Sequence, residues 1–571
     1  MNLTNKYTII FIIIALLIIL GTSIILFNKQ RLETFILTLT PSQKIGQLLM
    51  IAPRSADLDQ GLAEMIKEYN IGNMKIFGKN FVSKNRLIRL ISQAQNLSLK
   101  QNKGIPMFVA TDQEGGWIAH LKKGFTIPPS PMAIGRTKDK KLAFLAGHII
   151  ASELAAAGIN VNFAPVVDLD LNDKNWVIGP RAFSSDPEVV TQMANEFIKA
   201  HTKLNVMPVI KHFPGHGSLS KDSHNMPLTN YHDYETLKDT ELLPFQTLSQ
   251  SPVTGIMSSH IAFPGIVKYM EKVDRMNYRS YYYLPASLSR IMINRYIRHS
   301  LKARGLVFSD EMAMESIKQN HKLEVAVYMA LKAGVNIVVL NQNYHAVKKV
   351  FQYLLEQYKK DKNFQKQVDD SLRKIIYAKA FLFTTTNPQK IFSSKIFRIK
   401  SYKIDKESIR MIGSDKNKKL ARTLSYLTTD IVKNRKNLIP LREQRSFKKF
   451  KILVIAEDRG LFTQVRKWFP NCQFMSIKNI TMDRIGRDKN DVILIGIKND
   501  KYTYPIEQIF TKNKNIILIN YLHPVNIKSL DFLDTIVNTY SAKALQIEAA
   551  VGVIFQGKNK QKKKFDEYLL F

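Results

Sequence analysis

The sequence predicts an α/β protein: a (β/α)8 barrel of the TIM type, then a smaller open α/β sandwich, behind an N-terminal transmembrane helix. Three observations carry this expectation. Eight short apolar runs recur between about residues 40 and 340 with helix-like stretches between them. A second set of apolar runs follows a lysine-rich connector. The chain also begins with an uncharged apolar run, "YTIIFIIIALLIILGTSIILF", from Tyr7 to Phe27.

About 20 apolar residues span a bilayer core as a helix. The first run has that length, lacks an A-x-A-like cleavage site and has no cysteine beside it for lipid attachment. It reads as an uncleaved signal anchor over residues 1–31, with a cleaved signal peptide as the alternative; as an anchor it leaves the rest of the chain on one side of the membrane. Lys6 before it and Lys29 and Arg31 after it are nearly balanced, so charge does not set the orientation.

The eight barrel runs lie at 45–53, 71–78, 105–116, 159–170, 205–217, 253–265, 305–314 and 334–343. They are continuous and β-branched, without polar alternation, as strands buried on both faces are. Stretches such as "KKLAFLAGHIIASELAAAG" and "KLEVAVYMALKAG" supply the helices. On pattern alone a doubly wound open sheet competes. The barrel makes a further demand, that chemistry should gather at the C-terminal ends of the strands. Asp112 and Glu114 end the third run, Asp168 and Asp170 the fourth, Lys211 and His212 the fifth, His260 the sixth, and Asp310 and Glu311 the seventh. The barrel is expected over residues 32–385 and a helical connector over 386–440. A sandwich domain over 441–571 has strands near 450–457, 491–497, 514–522 and 534–540.

The apolar fraction of 45% marks a globular chain. The net charge of +37, from 84 Lys+Arg against 47 Asp+Glu, admits a nucleic-acid partner, an anionic wall polymer or compositional drift. It is spread along the chain, and no nucleic-acid-binding motif accompanies it. The single cysteine, Cys472, excludes an intramolecular disulfide.

The richest segment is "HFPGHGSLSKDSHNMPL", from His212 to Leu228. Its prolines and glycines make it a loop after the fifth strand. His212, His216, Asp222 and His224 are metal-ligand types, but Pro214 and Gly215 prevent the shared helix face that two histidines four apart need. Carboxylate chemistry suits the pattern better. Asp310 sits at the tip of a buried strand, where it faces a barrel mouth or caps the next helix. Asp222, two residues before His224, can orient its imidazole and stabilise the imidazolium. A mobile loop can bring such a pair to a substrate.

In "TDQEGGWIAHL", "NFAPVVDLDLNDKNWVIGPRAFSSDP", "VIKHFPGHG", "KDSHNMPL", "IMSSHIAFPGI", "LPASLS" and "GLVFSDEMAM" the chain resembles a bacterial family 3 glycoside hydrolase of the β-N-acetylglucosaminidase (β-hexosaminidase) type. The segments follow family order over about residues 40–345. Family 3 β-glucosidases generally lack the "KHFPGHG" plus "DSH" combination. The part from 427 to 558 resembles, more distantly, the family's α/β sandwich domain.

The resemblance implies Asp310 as nucleophile, His224 as general acid/base and Asp222 as its partner. It implies that Asp112, Arg181, Lys211 and His212 hold sugar hydroxyls, with Met257 and His260 near the N-acetyl group, and that no metal or cofactor is needed. Two positions depart from the pattern: Trp117 stands where arginine usually follows "DQEGG", and Glu311 where a second aspartate is common. The activity implied is removal of terminal β-linked N-acetylglucosamine from peptidoglycan fragments. The location implied is the outer face of the cytoplasmic membrane. A phosphorylase keeping the same residues, or an inactive anchored glycan-binding protein, remain open alternatives.

Overall fold

The computed structural model describes residues 30–383 and 401–557, apart from short stretches at 445–446, 480–490, 499–505, 508, 510–514, 522, 524–529 and 531. The apolar run Tyr7–Phe27 lies outside the described residues. Among those described, no helix is long and apolar enough to cross a membrane.

Eight parallel strands close into a barrel: β1 (Leu49–Ile51), β2 (Asn73–Lys75), β3 (Phe108–Thr111), β4 (Val161–Asn162), β5 (Met207–Phe213), β6 (Gly255–Ser258), β7 (Val307–Glu311) and β8 (Ile337–Leu340). Each pairs with its neighbours in chain order, and β8 closes on β1 with Val338 opposite Leu49. The open doubly wound alternative is thereby excluded. The strands are shorter than the apolar runs that announced them. In the first run, Ile45 and Gly46 belong to the helix Pro41–Gly46, which Thr40 starts through a capping box with Gln43.

The crossing helices start where side chains satisfy their first amides. Asp59, Ser83, Asp139, Asp186 and Asn343 each accept a backbone N–H at a helix start. Helix Lys84–Gln101 turns Leu87, Leu90, Ile91 and Ala94 inward at helical spacing, and all four are buried. Burying a leucine of this kind is worth about 1.5–3 kcal/mol. Leu90→Ala would cost about 2–5 kcal/mol, since a cavity is added to the lost transfer term.

The second domain is a six-stranded sheet of β9 (Asp430–Asn434), β10 (Ile452–Ala456), β11 (Gln473–Ser476), β12 (Val492–Ile497), β13 (Ile516–Asn520) and β14 (Thr535–Asn538). The spatial order is β9-β14-β13-β12-β10-β11, with only β9 antiparallel to its neighbour. Alternate residues feed two cores. Ile452, Val454, Val492, Leu494, Ile517 and Ile519 face one side, and Leu453, Ile455, Ile493, Ile495, Ile516 and Leu518 the other. Helix Ala544–Gln556 covers the first face. The sheet also takes in β9, from the segment read above as connector.

Helix Asp415–Thr428 fastens the domains together. Asn417 Nδ2 donates to Glu153 Oε1 of the barrel at 3.0 Å, and Gln546 Nε2 of the second domain donates to Ser425 Oγ at 3.1 Å. At the barrel mouth, His523 Nε2 lies 2.7 Å from Asp170 Oδ2.

Candidate active site

The C-terminal ends of β2, β3, β4 and β5 build a floor of interlocked charges. Lys211, on β5, places Nζ 2.8 Å from Asp112 Oδ1 and 2.7 Å from Glu114 Oε1. Lys75, at the end of β2, holds the other Asp112 oxygen at 2.8 Å, and His120 Nε2 stands 3.3 Å from it. Arg181 grips Glu114 with two bonds of 2.9 Å and donates to Val177 O. Asp112, Glu114 and Lys211 are all buried.

Burial opposes charge on each of these groups, and their partners overcome it. Lys211 and Lys75 hold the Asp112 carboxyl well below its ordinary value, and Arg181 and Lys211 do the same, less strongly, for Glu114. Asp112 and Glu114 hold Lys211 above the ordinary lysine value. The floor therefore keeps donors and acceptors fixed and ionised, which suits binding of neutral polyols.

His212 is fixed by Asp168, which takes its Nδ1 at 2.6 Å and its backbone N–H at 3.2 Å. Asp168 also accepts the backbone N–H of His216 at 2.8 Å. The glycines of "PGHG" have steric reasons. Gly215 has φ +146°, and a Cβ on Gly217 would sit 2.0 Å from Leu169 O.

Asp310 ends β7. Burial pushes its carboxyl up, but His212, His260 and His224 around it prevail and hold it down to about 2. It is therefore an ionised, half-buried carboxylate at the mouth, a form able to act as a nucleophile. Its neighbour Glu311 differs. Burial pushes that carboxyl up to about 7 although it accepts the N–H groups of Asn341 and Ala313.

His224 Nδ1 lies 2.6 Å from Asp222 Oδ1, and the His224 N–H donates to the same oxygen at 2.8 Å. Asp222 is largely shielded, whereas the His224 side chain is 57% exposed. The loop touches the segment that follows Asp310, because Glu315 N–H donates to His224 O at 3.3 Å. Its far end is fixed where Leu228–Thr229 pairs with Ile261–Ala262 beyond β6.

The structure brings Asp310, His224, Asp222, Asp112, Arg181, Lys211 and His212 to one mouth. Met257 and His260 stand differently. Met257 is 2% exposed in the barrel core, paired in register with Phe308. His260 has both nitrogens engaged, with Ser287 Oγ at 2.7 Å and Glu311 O at 3.0 Å. Trp117 is half-buried and lines a cavity of about 430 Å³ with Lys498, Tyr521 and Lys543 of the second domain. Sequence reasoning missed Lys75 and His120. A lysine inside the otherwise apolar run "IGNMKIFG" was the available signal for the first. Among the described residues, no group of three or more His, Cys, Asp or Glu is arranged to hold a metal ion.

Closed parallel barrels carry their chemistry at this end, and the mouth described above defines a barrel enzyme built on carboxylates and imidazoles. Residues 40–378 match the Glycosyl hydrolase family 3 N terminal domain, and the chain belongs to that family. It is a glycoside hydrolase. It is 31% identical to Beta-hexosaminidase A of Pseudoalteromonas piscicida, over 71% of this chain and 69% of that protein. It is 30% identical to a Beta-hexosaminidase of Nitrosomonas eutropha, over 47% of this chain and 73% of that one. A solved glycoside hydrolase family 3 beta-N-acetylglucosaminidase from Paenibacillus sp. str. FPU-7 has the same fold. Its TM-score is 0.76 at 23% identity, over 91% of this chain and 97% of that one.

Proposed function

We propose that the protein is a retaining β-N-acetylglucosaminidase that removes terminal β-linked N-acetylglucosamine from peptidoglycan-type glycans. The observation that carries this reading is the Asp222–His224 pair docked against the segment that follows an ionised Asp310. The named beta-hexosaminidase relatives support the sugar.

Asp310 attacks the anomeric carbon and forms a glycosyl ester as the bond to the leaving oxygen breaks. Asp222 takes the Nδ1–H of His224, which leaves Nε2 to carry the transferable proton. Nε2 gives that proton to the leaving oxygen, and the imidazole is then neutral. It next takes a proton from water, whose oxygen attacks the anomeric carbon and releases Asp310 as carboxylate. Asp112, Lys211, Arg181 and His212 hold the sugar's hydroxyls during both steps.

The apolar run Tyr7–Phe27 supports a single-pass anchor in the cytoplasmic membrane, with the barrel outside the cytoplasm where wall fragments arise. The high positive charge supports contact with an anionic wall polymer. Recovery of the full-length protein in a carbonate-washed membrane fraction would bear out the anchor, and recovery in the supernatant would remove it.

The activity test is hydrolysis of a chromogenic β-N-acetylglucosaminide beside the matching β-glucoside, with and without phosphate. Preference for the N-acetyl substrate in phosphate-free buffer is expected. Turnover only with phosphate would move the assignment to a phosphorylase. No turnover of either substrate by folded protein would overturn it.

A further inference from the structure

The geometry points to Glu241 as a positioning residue for the acid/base pair: its buried carboxylate ties together the two ends of the loop that carries Asp222 and His224. The inference rests on the reading of His224 as proton donor.

Glu241 lies between helix Tyr234–Lys238 and helix Leu243–Leu248 and is 1% exposed. At the near end of the loop, Ser218 N–H donates to Oε1 at 3.1 Å and Ser218 O–H reaches the carboxylate at 3.2 Å. At the far end, Asn230 Nδ2 donates to Oε2 at 3.1 Å and to Ser218 Oγ at 2.9 Å. The backbone just before the loop rests on the same side chain, since a Cβ on Gly215 would come 2.6 Å from Glu241 Cβ. One side chain thus packs on the segment at Gly215 and bonds it at Ser218 and Asn230, with Asp222 and His224 between the last two. Asn172 Nδ2 adds a bond to Ser218 O at 3.0 Å from the β4 side.

Three hydrogens point at the carboxylate and none leaves it, so the cluster fits the ionised form. Burial works against that form and pushes the carboxyl up to about 7. The Asp168 charge, facing it from the β4 loop, adds to the push, and the Ser218 and Asn230 bonds resist it. Stability alone would favour an apolar side chain at such a site. A buried carboxylate retained there is explained by what it holds. A glutamine would turn an amide N–H2 toward groups that already donate, and the loop base would part.

The test compares full-length wild type, Glu241→Gln and His224→Ala on two β-N-acetylglucosaminides. One has a dinitrophenyl leaving group, which departs without a proton. The other has an alkylphenyl group, which needs one. If Glu241 acts through the dyad, kcat/KM of Glu241→Gln falls about 10- to 100-fold with the alkylphenyl substrate, as a displaced catalytic group implies. It falls less than about threefold with the dinitrophenyl one, because no proton donor is needed there. Azide, a nucleophile that needs no base, should restore kcat on the dinitrophenyl substrate. Equal losses on both substrates, or none on either, would overturn the inference. If His224→Ala itself lacks the split, the reading of His224 fails instead. If Glu241→Gln does not fold, Ser218→Ala and Asn230→Ala each cut one end of the tie. The same split in either supports the inference, and its absence in both overturns it.

Discussion

The floor of the barrel mouth and the loop above it hold charge in opposite ways. On the floor, the Lys211 side chain is 3% exposed and meets two carboxylates from the β3 end, across β4. On the loop, the His224 side chain is 57% exposed and has one carboxylate partner, two residues away in the chain. Under the proposed mechanism, groups that recognise a substrate must be in place before it arrives, which strands and mutual ion pairs provide. A proton donor must meet an oxygen whose position depends on the bound sugar, which a loop allows. Asp310 belongs with the floor, set at a strand end. Its replacement should have the largest effect.

Asp310→Ala should lower kcat/KM by about 10^4- to 10^6-fold, as loss of a covalent nucleophile does. The unfolding transition should remain. Full activity in that variant would end the assignment. Burial raises this carboxyl, but His212, His260 and His224 hold it near 2, so it ionises as pH rises through that value and stays ionised above about 4. Any acid limb of kcat/KM seen between pH 5 and 7 therefore belongs to another group. A profile limited near pH 4 by Asp310 itself would break the contrast between the floor and the loop.

Lys211→Met tests the floor. It leaves Asp112 and Glu114 with Lys75 and Arg181 but without the cation they share. Breaking a buried ion pair costs about 3–5 kcal/mol, so thermal unfolding should shift far down along with activity. His224→Ala should do the reverse. An exposed loop side chain changes stability by less than about 0.5 kcal/mol. Loss of a general acid costs about 10^2- to 10^4-fold on a substrate with a poor leaving group. Calorimetry and kinetics on the two variants together give the comparison. A large stability loss in His224→Ala, or none in Lys211→Met, would reverse it.

The division also explains what could be read in the sequence. Barrel strands are buried on both faces and give continuous apolar runs, which made the architecture legible. In the second domain, β10, β12, β13 and β14 were legible for the same reason. The two strands that were not, β9 (DIVKN) and β11 (QFMS), are the edges of the sheet, half-exposed and partly polar. In the site, Asp310, Asp112, Lys211 and His212 announced themselves as polar residues ending apolar runs, and Asp222–His224 by proximity in sequence. Lys75 carried a similar signal, a lysine inside an apolar run, that went unused, and Glu241 carried none, because it sits in a polar stretch and meets its partners only after separate segments come together. The burial of Met257 could not be read in advance, since a buried methionine and a lining one look alike in an apolar run.

The smallest effect should come from Ser287→Ala, where the reason is a matter of tautomers. Glu311 O can only accept, so His260 Nε2 carries the hydrogen of that 3.0 Å bond. Burial holds the imidazole below its ordinary value despite the Asp310 charge. In the neutral ring Nδ1 is then an acceptor, and the Ser287 hydroxyl donates to it at 2.7 Å. His260 thereby bridges Ser287 to the residue after Asp310, and braces that strand end with no nitrogen left for a sugar. Removing the hydroxyl leaves a buried acceptor unpaired, at about 1–3 kcal/mol. The ring keeps its bond to Glu311, so Asp310 loosens but stays in place. A loss of a few-fold in kcat with KM nearly unchanged is expected, and Ser287→Thr should restore it. A large rise in KM for the N-acetyl substrate would instead return His260 to the sugar.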